Sequence, residues 1–321
     1  MNIPKIPSLD LNHYRSSNNF RKEEFILALG RGFAHTGFVT IRNHGFDELM
    51  EAKLYREVKA FFQLPDPVKK KYEFPEMNRQ RGYTSFGKEH AKNHNAGDLK
   101  EFWHFGQYLQ KRHPLRENYP DNVEVEEVPD LSVIGQQAFR TLENIALEIL
   151  EAIAIYLELP KDFFEKHCRD GNSILRPIHY PAITSEPENA VRAAAHEDIN
   201  LITLLMGASS DGLQILDKQG NWVPVTAFKG HLVVNVGDML QRLTNNVLQS
   251  TTHRVVNPPR HKWHESRYSI PFFLHPKPDM PLNCLDHCIT DYNPRQYDDI
   301  LAGDYLEERL KEIGLLEDKN G

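Results

Sequence analysis

Residues 196–206 read His-Glu-Asp-Ile-Asn-Leu-Ile-Thr-Leu-Leu-Met. The apolar run from Ile199 to Met206 predicts a buried strand, with His196 and Asp198 just ahead of it. Outward from this stretch, the chain from residue 173 to 274 is short-segmented and β-rich. Strands are expected at 173–180, 199–206, 212–216, 222–225, 231–236, 249–256 and 267–274. Turn signals divide them: Asp211-Gly212, Gln219-Gly-Asn221, Gly230, Gly237-Asp238 and Pro258-Pro259. Many short strands so punctuated suggest a jelly roll, or double-stranded β-helix. The mouth of such a barrel would gather His196, Asp198 and His253, although more than fifty residues separate the first pair from the third.

Those three residues carry the chemistry. His196 and Asp198 share a strand face, and Glu197 between them points away. Two imidazoles and one carboxylate can take one face of a six-coordinate ion and leave the opposite positions open, as in non-haem Fe(II) sites that handle O2. Arg267 and Ser269 follow, two apart and therefore on one side of their strand. A guanidinium fork grips a carboxylate with two parallel hydrogen bonds, and a serine adds another donor. A lone His-x-Asp is common by chance. Joined to His253 and an Arg-x-Ser pair, it reads as a metal site beside a carboxylate clamp.

With these motifs in place, the chain resembles the isopenicillin N synthase-like family of 2-oxoglutarate/Fe(II)-dependent dioxygenases. The resemblance extends to Gly37-Phe38-Val39, Asn43-His44-Gly45, the segment Asp98–Gly106, and Gly212-Leu-Gln214. It implies that His196, Asp198 and His253 ligate Fe(II), and that Arg267 and Ser269 hold the far carboxylate of 2-oxoglutarate. Many members also carry Asn-x-Tyr ahead of the triad. This chain has Ile178-His179-Tyr180, so only Tyr180 carries over as a co-substrate contact. The implied reaction uses O2, releases succinate and CO2, and oxidises a small-molecule substrate by hydroxylation, desaturation or ring closure. The substrate class is an amino acid or another metabolite. An alternative within the same framework is an oxidase that works without 2-oxoglutarate, as isopenicillin N synthase and aminocyclopropane-carboxylate oxidase do. A metal-dependent binding protein on the same fold would bind iron and ligand without turnover.

The implied fold is α+β: a double-stranded β-helix core flanked by helices, with a mixed α/β N-terminal region. Two regions are expected. Residues 1–130 form the N-terminal dioxygenase region, with helices, short strands and an active-site loop. Residues 131–321 form the catalytic jelly roll, with a spine helix and a C-terminal helix. Periodicity predicts helices at 20–35, 47–62, 131–157, 161–167 and 295–313, and short strands at 6–11 and 38–41. In the 47–62 helix, Leu49, Ala52, Leu54, Val58 and Phe61 are expected inward. In the last helix, Tyr297, Ile300, Leu301, Tyr305, Leu306 and Leu310 are expected inward. Lys69-Lys-Lys71 reads as a solvated face. The polar stretch 76–97 reads as a long loop, and loops of that kind carry binding residues. Arg81 and Tyr83, in that loop, and Phe273, beyond the clamp, are therefore substrate candidates. Residues 99–106 alternate as a strand with two usable faces, either of which can line a pocket.

Composition sets outer bounds. The chain has 321 residues, 40% of them hydrophobic and 26% charged, with a net charge of −7. Acidic and basic residues are interspersed, with no basic patch of the kind phosphate backbones require, so no nucleic-acid role is expected. Three cysteines, Cys168, Cys284 and Cys288, make no disulfide framework and fit a reducing cytosol. Cys284, His287 and Cys288 lack the second pair that a zinc site needs. Neither a signal peptide nor a membrane-spanning run is evident, so a cytoplasmic enzyme or binding protein is expected.

Overall fold

The computed structural model describes residues 6–77, 79–88, 97–187, 190–206, 212–225 and 229–312. Two β-sheets face each other across a cavity. The larger runs, in spatial order, through the strands Ser8–Asp10, Phe38–Arg42, His231–Val236, Ile202–Met206, Arg267–Leu274, Ile178–Tyr180, Glu101–His104 and Gly82–Thr84, with Ile174–Leu175 also on the Arg267 strand. The smaller runs through Trp222–Pro224, Leu213–Leu216, His253–Val255 and Ala193–His196. Apart from the parallel pair Ser8–Asp10 and Phe38–Arg42, the ladders are antiparallel.

Alternation along three central strands sorts their side chains. Thr203 and Leu205, Val233 and Asn235, and Arg267, Ser269, Pro271 and Phe273 face the cavity. Their neighbours Ile202, Leu204, Leu232, Val234, Tyr268, Ile270 and Phe272 enter the main core on the other side. That core is completed by helices. The long helix Asp130–Tyr156 buries the expected stripe Phe139, Leu142, Ile145, Ile149 and Ile153. Phe139 meets Phe272 edge-on, with ring centroids 5.1 Å apart, and so pins the helix to the back of the Arg267 strand. The helix Asn19–Thr36 stops at Gly37, whose φ of 68° is left-handed. A side chain there would also strike the Gln249 carbonyl at 2.4 Å.

Several expectations are corrected. Leu49 is 70% exposed, because the helix Glu48–Phe62 turns Leu54, Val58, Phe61 and Phe62 inward instead. Lys69 is buried, not solvated. Its ammonium lies 2.8 Å from Glu101 and 3.0 Å from Asp66. The last helix begins at Ala302, so Tyr297, Ile300 and Leu301 precede it, and Leu301 is exposed. The expected helix end at Ile313 and the turn residue Asp211 lie outside the described residues, as does part of the 76–97 loop. The strand Ala193–His196 and the short helix Asp238–Leu243 were not expected. Among the described residues no helix is long and apolar enough to cross a membrane.

Candidate active site

The unexpected strand is what closes the candidate metal triad. Ala193–His196 pairs with His253–Val255, and His196 stands directly opposite His253. The two imidazole centroids are 4.4 Å apart. Asp198 leaves the strand just beyond. Its Oδ1 is 3.8 Å from Nε2 of His196 and 3.7 Å from Nε2 of His253. The three ligand atoms all lie within 4.8 Å of one another.

Each ligand is aimed from behind. The Nδ1 of His196 meets the Ala194 carbonyl at 2.7 Å, and that of His253 meets the Thr251 carbonyl at 3.1 Å. Donation there fixes the proton on Nδ1 and leaves Nε2 as a lone-pair ligand. Oδ2 of Asp198 accepts from Thr203 Oγ1 at 2.6 Å and from Asn235 Nδ2 at 2.8 Å, which turns Oδ1 toward the imidazoles. Asn200 in turn donates to Thr203 at 2.8 Å. Gly237 permits this packing, since a Cβ there would lie 2.1 Å from Asn200 Oδ1. Glu197 points away, as expected, and accepts from Thr252.

Electrostatics agree with a ligand role. Burial, aided by the neighbouring His253, holds the His196 imidazole down at about 4, in its neutral metal-binding form. Burial alone would raise Asp198. The His253 and His196 imidazoles and the bonds from Asn235 and Thr203 outweigh it and keep the carboxyl below its ordinary value. Two imidazoles and one carboxylate with ligand atoms within 4.8 Å of one another are a donor set that would suit an Fe(II) ion.

The clamp residues lie in the same cavity. Arg267 pairs in register with Tyr180, and Ser269 with Ile178. All four are buried and line the cavity. The Arg267 guanidinium carbon sits 4.8 Å from the Tyr180 ring centroid. The apolar Ile178 stands where the family resemblance implies an asparagine.

At the other end of the Arg267 strand, Phe273 faces the cavity beside Arg176. The Arg176 guanidinium carbon is 5.1 Å from the Phe273 ring centroid and 4.6 Å from that of Phe102. Its Nε donates to Nε2 of His104 at 2.5 Å, while Nδ1 of His104 meets the Arg79 carbonyl at 2.8 Å. The strand Glu101–His104 thus sets Phe102 and His104 against Arg176, on the cavity side. Lys100, just before it, lines the cavity itself and bonds Asp98 at 2.8 Å.

The other two substrate candidates are not brought to the cavity. Tyr83 pairs with Trp103 in register and stands on the opposite, core-facing side. Its ring packs on Phe61 and its hydroxyl donates to Glu101. Arg81 is fully buried beside Gly106 and donates to the Gln80 carbonyl. Burial pushes its guanidinium down to about 10. His179 bonds Glu101 at 2.7 Å and stacks on Tyr268, and neither it, His231 nor His275 lines the cavity. Sequence reading missed Thr203, Asn235 and Lys100. The signal for Asn235 was present: one amide in the apolar run Leu232–Val236.

Comparison with known proteins agrees with this geometry. Residues 6–127 match the family described as non-haem dioxygenase in morphine synthesis N-terminal, and residues 171–276 match the 2OG-Fe(II) oxygenase superfamily. A 2-oxoglutarate-Fe(II) type oxidoreductase, ppzD of Metarhizium rileyi, is 33% identical over 85% of this chain and 81% of its own length. The proline hydroxylase buaE of Petromyces alliaceus is 30% identical over 95% of this chain and 98% of its own. A 2OG-Fe(II) oxygenase family protein from Caulobacter crescentus superposes with a TM-score of 0.86 at 42% identity, covering 96% and 99% of the two chains. A Neurospora crassa protein solved in complex with alpha-KG and thymine superposes with a TM-score of 0.83 at 30% identity, covering 95% and 96%. The chain belongs to the 2OG-Fe(II) oxygenase superfamily, and its core is the family's jelly roll. It is a non-haem Fe(II)- and 2-oxoglutarate-dependent dioxygenase that couples conversion of the oxo acid to succinate with oxidation of a small molecule. The reading as an oxidase independent of 2-oxoglutarate is not favoured.

Proposed function

We propose that His196, Asp198 and His253 hold the iron, that Arg267, Ser269 and Tyr180 hold the far carboxylate of 2-oxoglutarate, and that the prime substrate is a small carboxylate such as an amino acid. Iron and 2-oxoglutarate together supply the activation of O2. This chain's residues bind, orient and exclude water. The observation that carries the reading is the division of labour along one strand. Arg267 and Ser269 face the cavity at one end, and Phe273 faces it at the other beside Arg176. Six residues of strand separate the two ends by roughly 20 Å. A guanidinium braced by His104 and flanked by two aromatic rings suits a substrate carboxylate with an apolar body. Hydroxylation of a C–H bond is the proposed outcome. Proline, in the name of one relative, and thymine, bound by another, are small molecules of this scale.

Two coarser features belong to the same reading. Residues 1–130 and 131–321 act as two sequence regions sharing one body, a division supported by family matches that end at 127 and resume at 171. A cytoplasmic setting is supported by three free, buried cysteines.

The deciding experiment is anaerobic. Fe(II) is added to the metal-free protein, then 2-oxoglutarate, and the visible charge-transfer band of a chelated oxo acid is recorded. Its appearance in the wild type and loss in Arg267→Ala supports the clamp. Succinate release is then screened across amino acids and other small carboxylates. Iron binding without a band would reverse the co-substrate assignment, and turnover only of neutral substrates would reverse the substrate class.

A further inference from the structure

Arg192 precedes the strand that ends in His196, and it is only 2% exposed. Its Nη2 donates to the backbone carbonyl of Glu265 at 3.0 Å, and its Nε has no hydrogen-bond partner among the described residues. The Glu265 side chain is half exposed and lies 3.9 Å from His264. Among the described residues its one hydrogen bond goes to a neutral carbonyl, and the Glu265 charge offsets burial only in part, so the buried guanidinium is costly.

Its surroundings suggest what the charge is for. The Arg192 guanidinium carbon lies 5.9 Å from the Tyr180 ring centroid, and that of Arg267 lies 4.8 Å from the same ring. One phenol ring therefore lies against both cations. Burial, and then the charge of Arg267, push Arg192 below its ordinary value. An anion held by Arg267 on the cavity side would offset part of that cost across the Tyr180 ring. The contact to Glu265 adds a mechanical link, because Glu265 lies two residues before Arg267. Arg192 lies four before His196. It joins the backbone that carries the clamp to the backbone that carries an iron ligand.

We propose that Arg192 is a positioning residue for the co-substrate: a second buried positive charge behind Tyr180 that, with Arg267, restricts the oxo acid to one bearing a far carboxylate. This rests on the clamp assignment to Arg267, Ser269 and Tyr180. Arg192 does not line the cavity and acts through Tyr180 and the Glu265 backbone. A second unit charge at this range in a buried site changes carboxylate binding by roughly tenfold.

The test compares two oxo acids of equal length, 2-oxoglutarate and 2-oxovalerate, which lacks the far carboxylate. Dissociation constants are measured by anaerobic titration of the Fe(II)-loaded protein, and the ratio of the two reads far-carboxylate recognition without turnover. In Arg192→Met, which keeps an apolar stem and removes the charge, the preference for 2-oxoglutarate is expected to fall about tenfold. In Arg192→Lys, which keeps the charge, it is expected to stay within about threefold of wild type. Arg192→Gln serves as the neutral variant should Arg192→Met not fold. An unchanged ratio in the neutral variant overturns the proposal. So does an equal fall in Arg192→Lys, which would mark a packing role. Arg267→Gln is run in parallel. A lost preference there with none lost at Arg192 removes only this inference, whereas an unchanged ratio at Arg267 removes the clamp itself.

Discussion

Asn235 donates its side-chain amide to Oδ2 of Asp198 across 2.8 Å, from the position opposite Thr203, the other donor to that oxygen. The carboxylate is thus held by two neighbouring strands of the large sheet while its free oxygen faces imidazoles carried by the small one. The proposed metal site bridges the two sheets, and its geometry depends on residues outside the triad.

Removing these supports should weaken metal binding without unfolding the protein. Asn235→Ala and Thr203→Val are each expected to lower Fe(II) affinity by about 10- to 100-fold. Anaerobic metal titration checks this, with circular dichroism as the control for fold. Affinity at the wild-type level in both variants would mean that Asp198 needs no bracing.

Arg267→Ala should separate the co-substrate from the metal. The 2-oxoglutarate concentration needed for half-maximal succinate release is expected to rise by at least about 100-fold, since a charge-assisted bidentate pair is lost. Fe(II) binding should stay intact, because Arg267 is not among the ligand atoms. An unaltered 2-oxoglutarate dependence would reject the assignment.

Arg176→Gln should act at the opposite end. Anaerobic 2-oxoglutarate affinity is expected to change by less than about threefold, because the far carboxylate keeps its own guanidinium fork. Affinity for a carboxylate substrate found by screening should fall by about 10- to 100-fold, the worth of a charge-assisted hydrogen bond. His104→Phe, which removes the acceptor bracing Nε, should produce a smaller effect of the same kind. A fall in 2-oxoglutarate affinity instead of substrate affinity would place Arg176 in the clamp.

Acid should destabilise the metal-free protein through His275. Burial holds its imidazole down at about 4, against an ordinary value of 6.5. Below 6.5 the unfolded chain takes up a proton that the folded form resists. The stabilisation is therefore complete above pH 6.5 and is lost as pH falls toward 4. The shift corresponds to at most about 3 kcal/mol. Urea unfolding at about pH 7.5, 6 and 5 should show a shallower acid-side loss in His275→Gln than in wild type. Parallel slopes would mean that other groups carry the effect.

Much of the candidate site was legible in the sequence because the proposed ligating and clamping residues obey simple spacing. His196 and Asp198 are two apart, as are Arg267 and Ser269, and alternation alone puts each pair on one side. The long helix announced itself by its apolar stripe. What stayed hidden depended on partners distant in sequence. Ala193–His196 has small residues and no β-branched signal, yet it becomes a strand because His253–Val255 pairs with it. Lys69 looked solvated within Lys69-Lys-Lys71, and only the fold reveals Glu101 beside it. Tyr83 has the right composition for a substrate contact, but its pairing with Trp103 sends it to the wrong side.

The strand Glu101–His104 therefore has two separate fates written into adjacent positions. Glu101 and Trp103 belong to the interior: Glu101 meets Lys69 and His179, and Trp103 packs 4.7 Å from Phe61 by ring centroids. Lys100 borders the cavity, and Phe102 and His104 stand on that same side against Arg176. In a saturation library, the odd positions should be intolerant and report on expression and folding. The even ones, buried as well, should accept only exchanges of similar volume and report on which molecule is turned over. Substrate range can thus drift along this strand one residue out of two, within the volume that buried Phe102 and His104 leave.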